Sequence, residues 1–171
     1  MSSNKIACFD VYYYEGYAKA CCIVFEIEPL ESIISRYCEI INSVDRYIPG
    51  KFYKRELPCL LKVYKTIEED IDLIIIDGFV FVENGKKGLG AHLYEALNRK
   101  IPIIGVAKTF FKGCTHYIQI YRGKSIRPLY ISSIGIELNI SAELIRNLNG
   151  DNRIPNILKM IDQLTRSDVK N

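Results

Sequence analysis

Positions 5–14 (Lys-Ile-Ala-Cys-Phe-Asp-Val-Tyr-Tyr-Tyr) are apolar on both alternating faces, as a central β-strand requires. Glu15-Gly16 supplies a tight turn into a second strand over 17–26, and Pro29 separates that from a third over 32–41. Three strands joined by short turns predict an antiparallel meander. The period then changes. Leu57, Leu60, Leu61, Tyr64 and Ile67 recur at helical spacing, with Pro58 suited to a first turn. A short apolar strand, 73–77, ends in Asp77, and Leu89, Leu93, Ala96 and Leu97 mark the next helix. Positions 102–107 read as another buried strand. A hairpin follows over 116–121 and 126–131, turning at Arg122-Gly123-Lys124-Ser125. Two helices close the chain, one from near Ser141 to Asn149-Gly150, the other opening at Pro155 with Ile157, Ile161 and Leu164 on one face.

An antiparallel meander followed by alternating helices and strands implies right-handed parallel crossovers and a mixed α/β sheet. The ribonuclease H-like fold has this order. With 171 residues and neither repeat nor linker, the chain is expected to form a single domain over 1–171. Composition, 49% apolar and 25% charged, excludes disordered and fibrous classes. No apolar run approaches the ~18–20 residues of a membrane span, and the start lacks a signal-peptide core, so a cytoplasmic protein without a membrane partner is expected. Cysteines at 8, 21, 22, 38, 59 and 114 form no C-x-x-C pair. They are read as reduced, small core residues.

Charge alters the picture. Residues 46–65 hold six Lys/Arg against one acid, Glu56, and residues 96–136 hold seven against none, so the remainder is net acidic although the whole chain is only +3. Segregated basicity suits a phosphate-binding face, because neutralised phosphates release counterions. It also suits a merely solvated face.

Asp10 interrupts an otherwise apolar strand, where an unpaired carboxylate costs several kcal/mol. Asp77 ends the fourth strand, at the edge where α/β folds place ligands. Glu56 lies where the first helix is expected to begin. Taken singly, each acid has an ordinary structural role. Together they favour a hard divalent cation held by oxygen ligands, and Lys108, ending the following strand, adds positive charge for phosphodiester chemistry.

Several of these segments resemble the endonuclease V family. Arg46-Tyr47-Ile48-Pro49-Gly50-Lys51-Phe52-Tyr53-Lys54-Arg55-Glu56 is similar to its Tyr-Ile-Pro-Gly wedge and following Arg-Glu helix start. Phe9-Asp10-Val11, Ile76-Asp77-Gly78, Gly88-Leu89-Gly90-Ala91-His92-Leu93, Ile104-Gly105-Val106-Ala107-Lys108 and Pro128-Leu129-Tyr130-Ile131-Ser132 resemble further family segments in the same order, over about residues 5–165.

The resemblance implies a Mg²⁺-dependent endonuclease (Mn²⁺ as an alternative) that cleaves DNA or RNA near a deaminated purine, inosine or deoxyinosine; a monomer is expected. It assigns Asp10, Glu56 and Asp77 to the metal and Lys108 to catalysis. Tyr47, with Ile48 and Pro49, becomes a wedge filling the gap left by a flipped base, beside a pocket formed near Gly50, Phe52, Gly88 and Leu89. Two positions depart from the pattern: Glu83 and Ile136 stand where the family carries histidines. The alternative is therefore a nucleic-acid-binding protein of the same fold with weakened or absent hydrolysis.

Overall fold

Alternation along the first strand decides how the protein is layered. The computed structural model describes residues 4–44, 46, 48–49 and 51–167. Strand β1 (Ile6–Tyr14) is buried along most of its length and pairs antiparallel with β2 (Tyr17–Glu26), which pairs antiparallel with β3 (Ser32–Ile41). The meander is as expected. After α1 (Phe52–Tyr64), strand β4 (Leu73–Asp77) joins β1 in parallel. A 3₁₀ turn (Glu83–Gly85) and α2 (Leu89–Ala96) lead to β5 (Ile103–Ala107), parallel to β4. Next come β6 (Ile118–Ile120) and β7 (Leu129–Ile134), then α3 (Leu138–Arg146) and α4 (Asn156–Arg166). The sheet order is β3-β2-β1-β4-β5-β7-β6, the mixed ribonuclease H-like arrangement.

Each face of the sheet carries one apolar layer. Ile6 and Cys8 of β1 join Ile75 and Val106 beneath Ala142 and Ile145 of α3 and Ile157, Leu158 and Ile161 of α4. Ala7, Phe9 and Val11 join Ile74 and Ile76 beneath Cys59, Leu60 and Val63 of α1 and Leu89 and Leu93 of α2. A period-two strand feeding two layers explains why its sequence is apolar at nearly every position.

Three local expectations change. Helix α1 begins at Phe52, so Pro58 lies at its seventh residue rather than in its first turn. Proline there removes one backbone hydrogen bond, but burial of Glu56, Cys59, Leu60 and Val63 holds the helix across it. Helix α3 starts before Ser141, whose hydroxyl instead donates back to Glu137 O at 2.9 Å. The β2–β3 register sets Cys21 opposite Cys38 and the two form a disulfide, so Cys8, Cys22, Cys59 and Cys114 remain as thiols, all buried.

Buried cations fasten the C-terminal helices. Arg122, 5% exposed, donates to five backbone carbonyls, among them Asn152 O at 2.9 Å, Gly150 O at 3.1 Å and Arg146 O at 3.3 Å. Arg153 donates to Pro128 O at 2.8 Å and to Lys108 O. Lys19 Nζ (2.9 Å to Leu164 O) and the Tyr14 hydroxyl (2.8 Å to Thr165 O) reach carbonyls at the end of α4; a cation there also complements the helix dipole. No helix among the described residues is long and apolar enough to cross a membrane.

Candidate active site

The ladder places the acids. Phe9 pairs with Ile76, so the next step along the parallel β1–β4 pair sets Asp10 beside Asp77 on one face. Asp77 in turn pairs with Val106 of β5, two residues before Lys108. Asp10, Asp77 and Lys108 line one crevice, closed on the other side by Leu158 and Ile161 of α4. Its volume is about 10 Å³, close to the space of one water molecule. Gly105 lets the chain after Asp77 fold over β5: a Cβ there would lie 2.4 Å from Gly78 O. That segment is pinned by Gly78 N donating to Val106 O (3.0 Å) and Val80 N to Ser132 Oγ (2.9 Å).

Glu56 approaches from α1 on the other face and is buried, 9% exposed. The three acids form an electrostatic ladder. Burial raises the Asp77 carboxyl although its side chain reaches solvent at the strand end, with Lys108 opposing and Asp162 adding to the rise. Burial and then the Asp77 charge push Asp10 up to about 7, against the hydrogen bond from Val11 N (2.9 Å). Burial, then Asp10 and Asp77, push Glu56 up to about 8. Tyr13 Oη lies beside the Glu56 carboxylate in looser geometry than a regular hydrogen bond; burial and that charge raise its phenol.

Carboxylates buried close together in this way fit a divalent cation, whose charge would oppose each shift. Among the described residues, no three His, Cys, Asp or Glu side chains already form a metal cage. The fit is therefore one of charge and donor type. Mg²⁺ is commonly held by one or two carboxylates with waters completing its shell, a requirement that Asp10 and Asp77 meet.

Asp162 on α4 escaped sequence reasoning. Its charge acts on both Asp10 and Asp77, and it pairs with Arg166 at 3.0 Å. One acid on an amphipathic helix gives no signal in the sequence; only docking of α4 on β1 brings it here. Glu83 opens the 3₁₀ turn, is exposed and packs over Gly113, and is absent from the main charges acting on the three acids. Ile136 packs against the apolar layer beneath α3 and α4.

Tyr47 and Gly50 lie outside the described residues. Ile48 (47%) and Phe52 (42%) are exposed, as is Pro49. Tyr53 stacks on His92 with ring centroids 3.7 Å apart, joining the first turns of α1 and α2. Phe52 and Gly88-Leu89 thus belong to neighbouring helix starts. Leu89 is core, and a Cβ at Gly88 would meet Phe79 O at 2.8 Å. Most cations of the two basic stretches are exposed, among them Arg46, Lys51, Lys54, Lys112, Lys124 and Arg127, whereas Arg122 is a buried backbone clamp and no part of a phosphate-binding face.

The family model for Endonuclease V matches residues 1–130. An endonuclease V from Bacillus subtilis is 27% identical over 193 residues, spanning 94% of this chain and 78% of its own length. One from Bacillus thuringiensis is 25% identical over 166 residues, spanning 83% and 70%. The solved B. subtilis endonuclease V superposes with a TM-score of 0.81 at 24% identity, covering 95% of this chain and 79% of that one. Ciona intestinalis endonuclease V, solved with a 24mer DNA containing an inosine followed by a ribo-adenosine, gives 0.79 at 18% identity, covering 96% and 85%. With the family model matching residues 1–130, most of its length, this chain belongs to the endonuclease V family.

Proposed function

We propose that the protein is a divalent-metal-dependent endonuclease that hydrolyses a phosphodiester near a deaminated purine, inosine or deoxyinosine, in DNA or RNA. The observation that carries this reading is the crevice that brings the Asp10 and Asp77 carboxylates together with Lys108, with Glu56 close enough to feel the charge of both acids. Asp10 and Asp77, with Glu56 beside them, would hold Mg²⁺ or Mn²⁺. When bound, such a cation polarises a phosphoryl oxygen and lowers the pKa of a coordinated water. Lys108 Nζ neutralises charge developing on the phosphate. Leu158 and Ile161 form an apolar wall on one side of the crevice, which strengthens these interactions there. Ile48 and Pro49, exposed ahead of α1, serve with Tyr47 as the wedge, and the adjoining starts of α1 and α2 form the base pocket. The substrate proposal also draws on the inosine-containing DNA bound to the Ciona relative.

A nucleic-acid-binding protein with weakened hydrolysis is the second reading, favoured by the absence of a ready-made three-ligand cage among the described residues. One experiment separates the two. The protein is incubated with inosine-containing and unmodified DNA and RNA oligonucleotides in Mg²⁺, Mn²⁺ or chelator. Metal-dependent cleavage confined to inosine substrates supports the enzyme, whereas binding without cleavage at any metal concentration supports the second reading.

A further inference from the structure

Beyond the carboxylate crevice, a cavity of about 530 Å³ opens where the β1–β2 turn meets the chain leaving β3. Its walls include Tyr13, Tyr14, Tyr17, Asn42, Arg46 and Arg55. The Tyr14 and Tyr17 rings stack 4.8 Å apart and within 5° of parallel, and the Arg55 guanidinium lies 3.5 Å from the centre of the Tyr13 ring. Tyr13 Oη of its lining has the Glu56 carboxylate beside it, whereas Arg55 Nε is buried without a hydrogen-bond partner. Buried polar atoms are rarely left in that state unless water, an ion or a ligand completes them.

Position says which ligand. Tyr13 is three residues beyond Asp10, about 10 Å along the strand, and Arg55 immediately precedes Glu56. Tyr13 Oη beside the Glu56 carboxylate sets this cavity next to that acid, on the α1 side of the sheet. The chemistry matches: flat aromatic faces stack on any base, guanidinium groups bind phosphate, and the Asn42 amide can meet a base edge. We propose that the cavity is a subsite for one unpaired nucleotide of the cleaved strand, flanking the scissile phosphate, with Tyr17 in its stacking wall and Arg46 and Arg55 on its phosphate. The assignment rests on the nuclease reading for its orientation but concerns a separate set of residues. It makes the enzyme favour strands that are single-stranded beside the lesion, since a paired base cannot enter.

The test is a series of fluorescent inosine oligonucleotides shortened one nucleotide at a time on either side of the lesion. Dissociation constants are measured for wild type, Tyr17→Ala and Arg46→Ala, and cleavage is followed in parallel. One shortening step should weaken wild-type binding roughly tenfold, as loss of a stacked base does. An abasic nucleotide at that position should reproduce the loss. Both variants should lack that step and keep the others. A variant profile parallel to wild type, or the absence of any such step, overturns the subsite even if inosine substrates are cleaved. The step persisting in a protein that cleaves nothing supports the subsite and counts against the nuclease reading alone. Saturation of the cavity by free AMP, with no dependence on strand length, overturns the assignment to the cleaved strand.

Discussion

Arg122 and Glu56 are similarly buried, yet they do opposite things for the molecule. Arg122 has its donors directed at five backbone carbonyls of the α3–α4 connection, so its desolvation is offset by hydrogen bonds. Glu56 is buried beside Asp10 and Asp77, and each added negative charge makes its own ionisation harder. One region is satisfied by the chain that surrounds it. The other is met only in part, by Tyr13 and Arg55. Burial alone therefore does not show whether a charged group is satisfied; the completeness of its partners does.

The sharpest way to break this comparison is Asp77→Asn. On the nuclease reading, cleavage of an inosine oligonucleotide should fall by about 10³-fold or more, because a metal's contribution of several kcal/mol is lost. Oligonucleotide binding and the melting temperature should stay near wild type or rise. A matched fall in stability would place Asp77 with Arg122 as a structural charge. Arg122→Met is the mirror experiment. Unfolding in urea should show a loss of about 3 kcal/mol, from carbonyls left without donors, with cleavage per folded molecule largely retained.

The third test uses pH. Asp10 and Glu56 are raised to about 7 and 8 in the folded state, from unfolded values near 3.8 and 4.5. The folded protein thus holds protons that the unfolded chain has released. Stability is greatest below the unfolded values and falls as pH rises through 7 to 8. Metal-free protein should lose roughly 2–3 kcal/mol between pH 5 and pH 9, an amount discounted for the coupling between the acids. Millimolar Mg²⁺ or Mn²⁺ should reverse most of that loss. A flat profile, or one rising with pH, would show that the acids are compensated within the chain as Arg122 is.

Lys108→Ala should reduce cleavage about 10²-fold without moving the metal concentration required, since the lysine acts on the phosphate. A shift in metal dependence instead would tie Lys108 to the carboxylates. The smallest effect belongs to Glu83→Gln. An exposed side chain packed over Gly113 should leave stability within about 0.5 kcal/mol and metal dependence unchanged. A lowered metal affinity would extend the carboxylate cluster to the 3₁₀ turn.

Local pattern settled much of this molecule. The bounds of β2, β3 and β4 follow from alternation and turn residues, and Asp10 stands out because an acid within an apolar strand needs a compensating partner. The family motifs are likewise contiguous stretches and legible without coordinates. Contacts distant in sequence were not legible. Pro58 suggested a helix start, but packing of Cys59, Leu60 and Val63 carried α1 across it. Arg122 counted as one more cation in a basic stretch until the α3–α4 connection folded around it. Cys21 and Cys38 looked like isolated core residues because β-strand register, which pairs them, is not written in either segment alone. Asp162 reached the active site only through the docking of α4 on β1. The sequence determined which segments would be strands and helices, and singled out the acids and the lysine proposed for the chemistry, because periodicity and side-chain type are local properties. Only the tertiary structure decided which charges would be satisfied by the chain and which would remain to be met, because that depends on distances between groups the chain order leaves far apart.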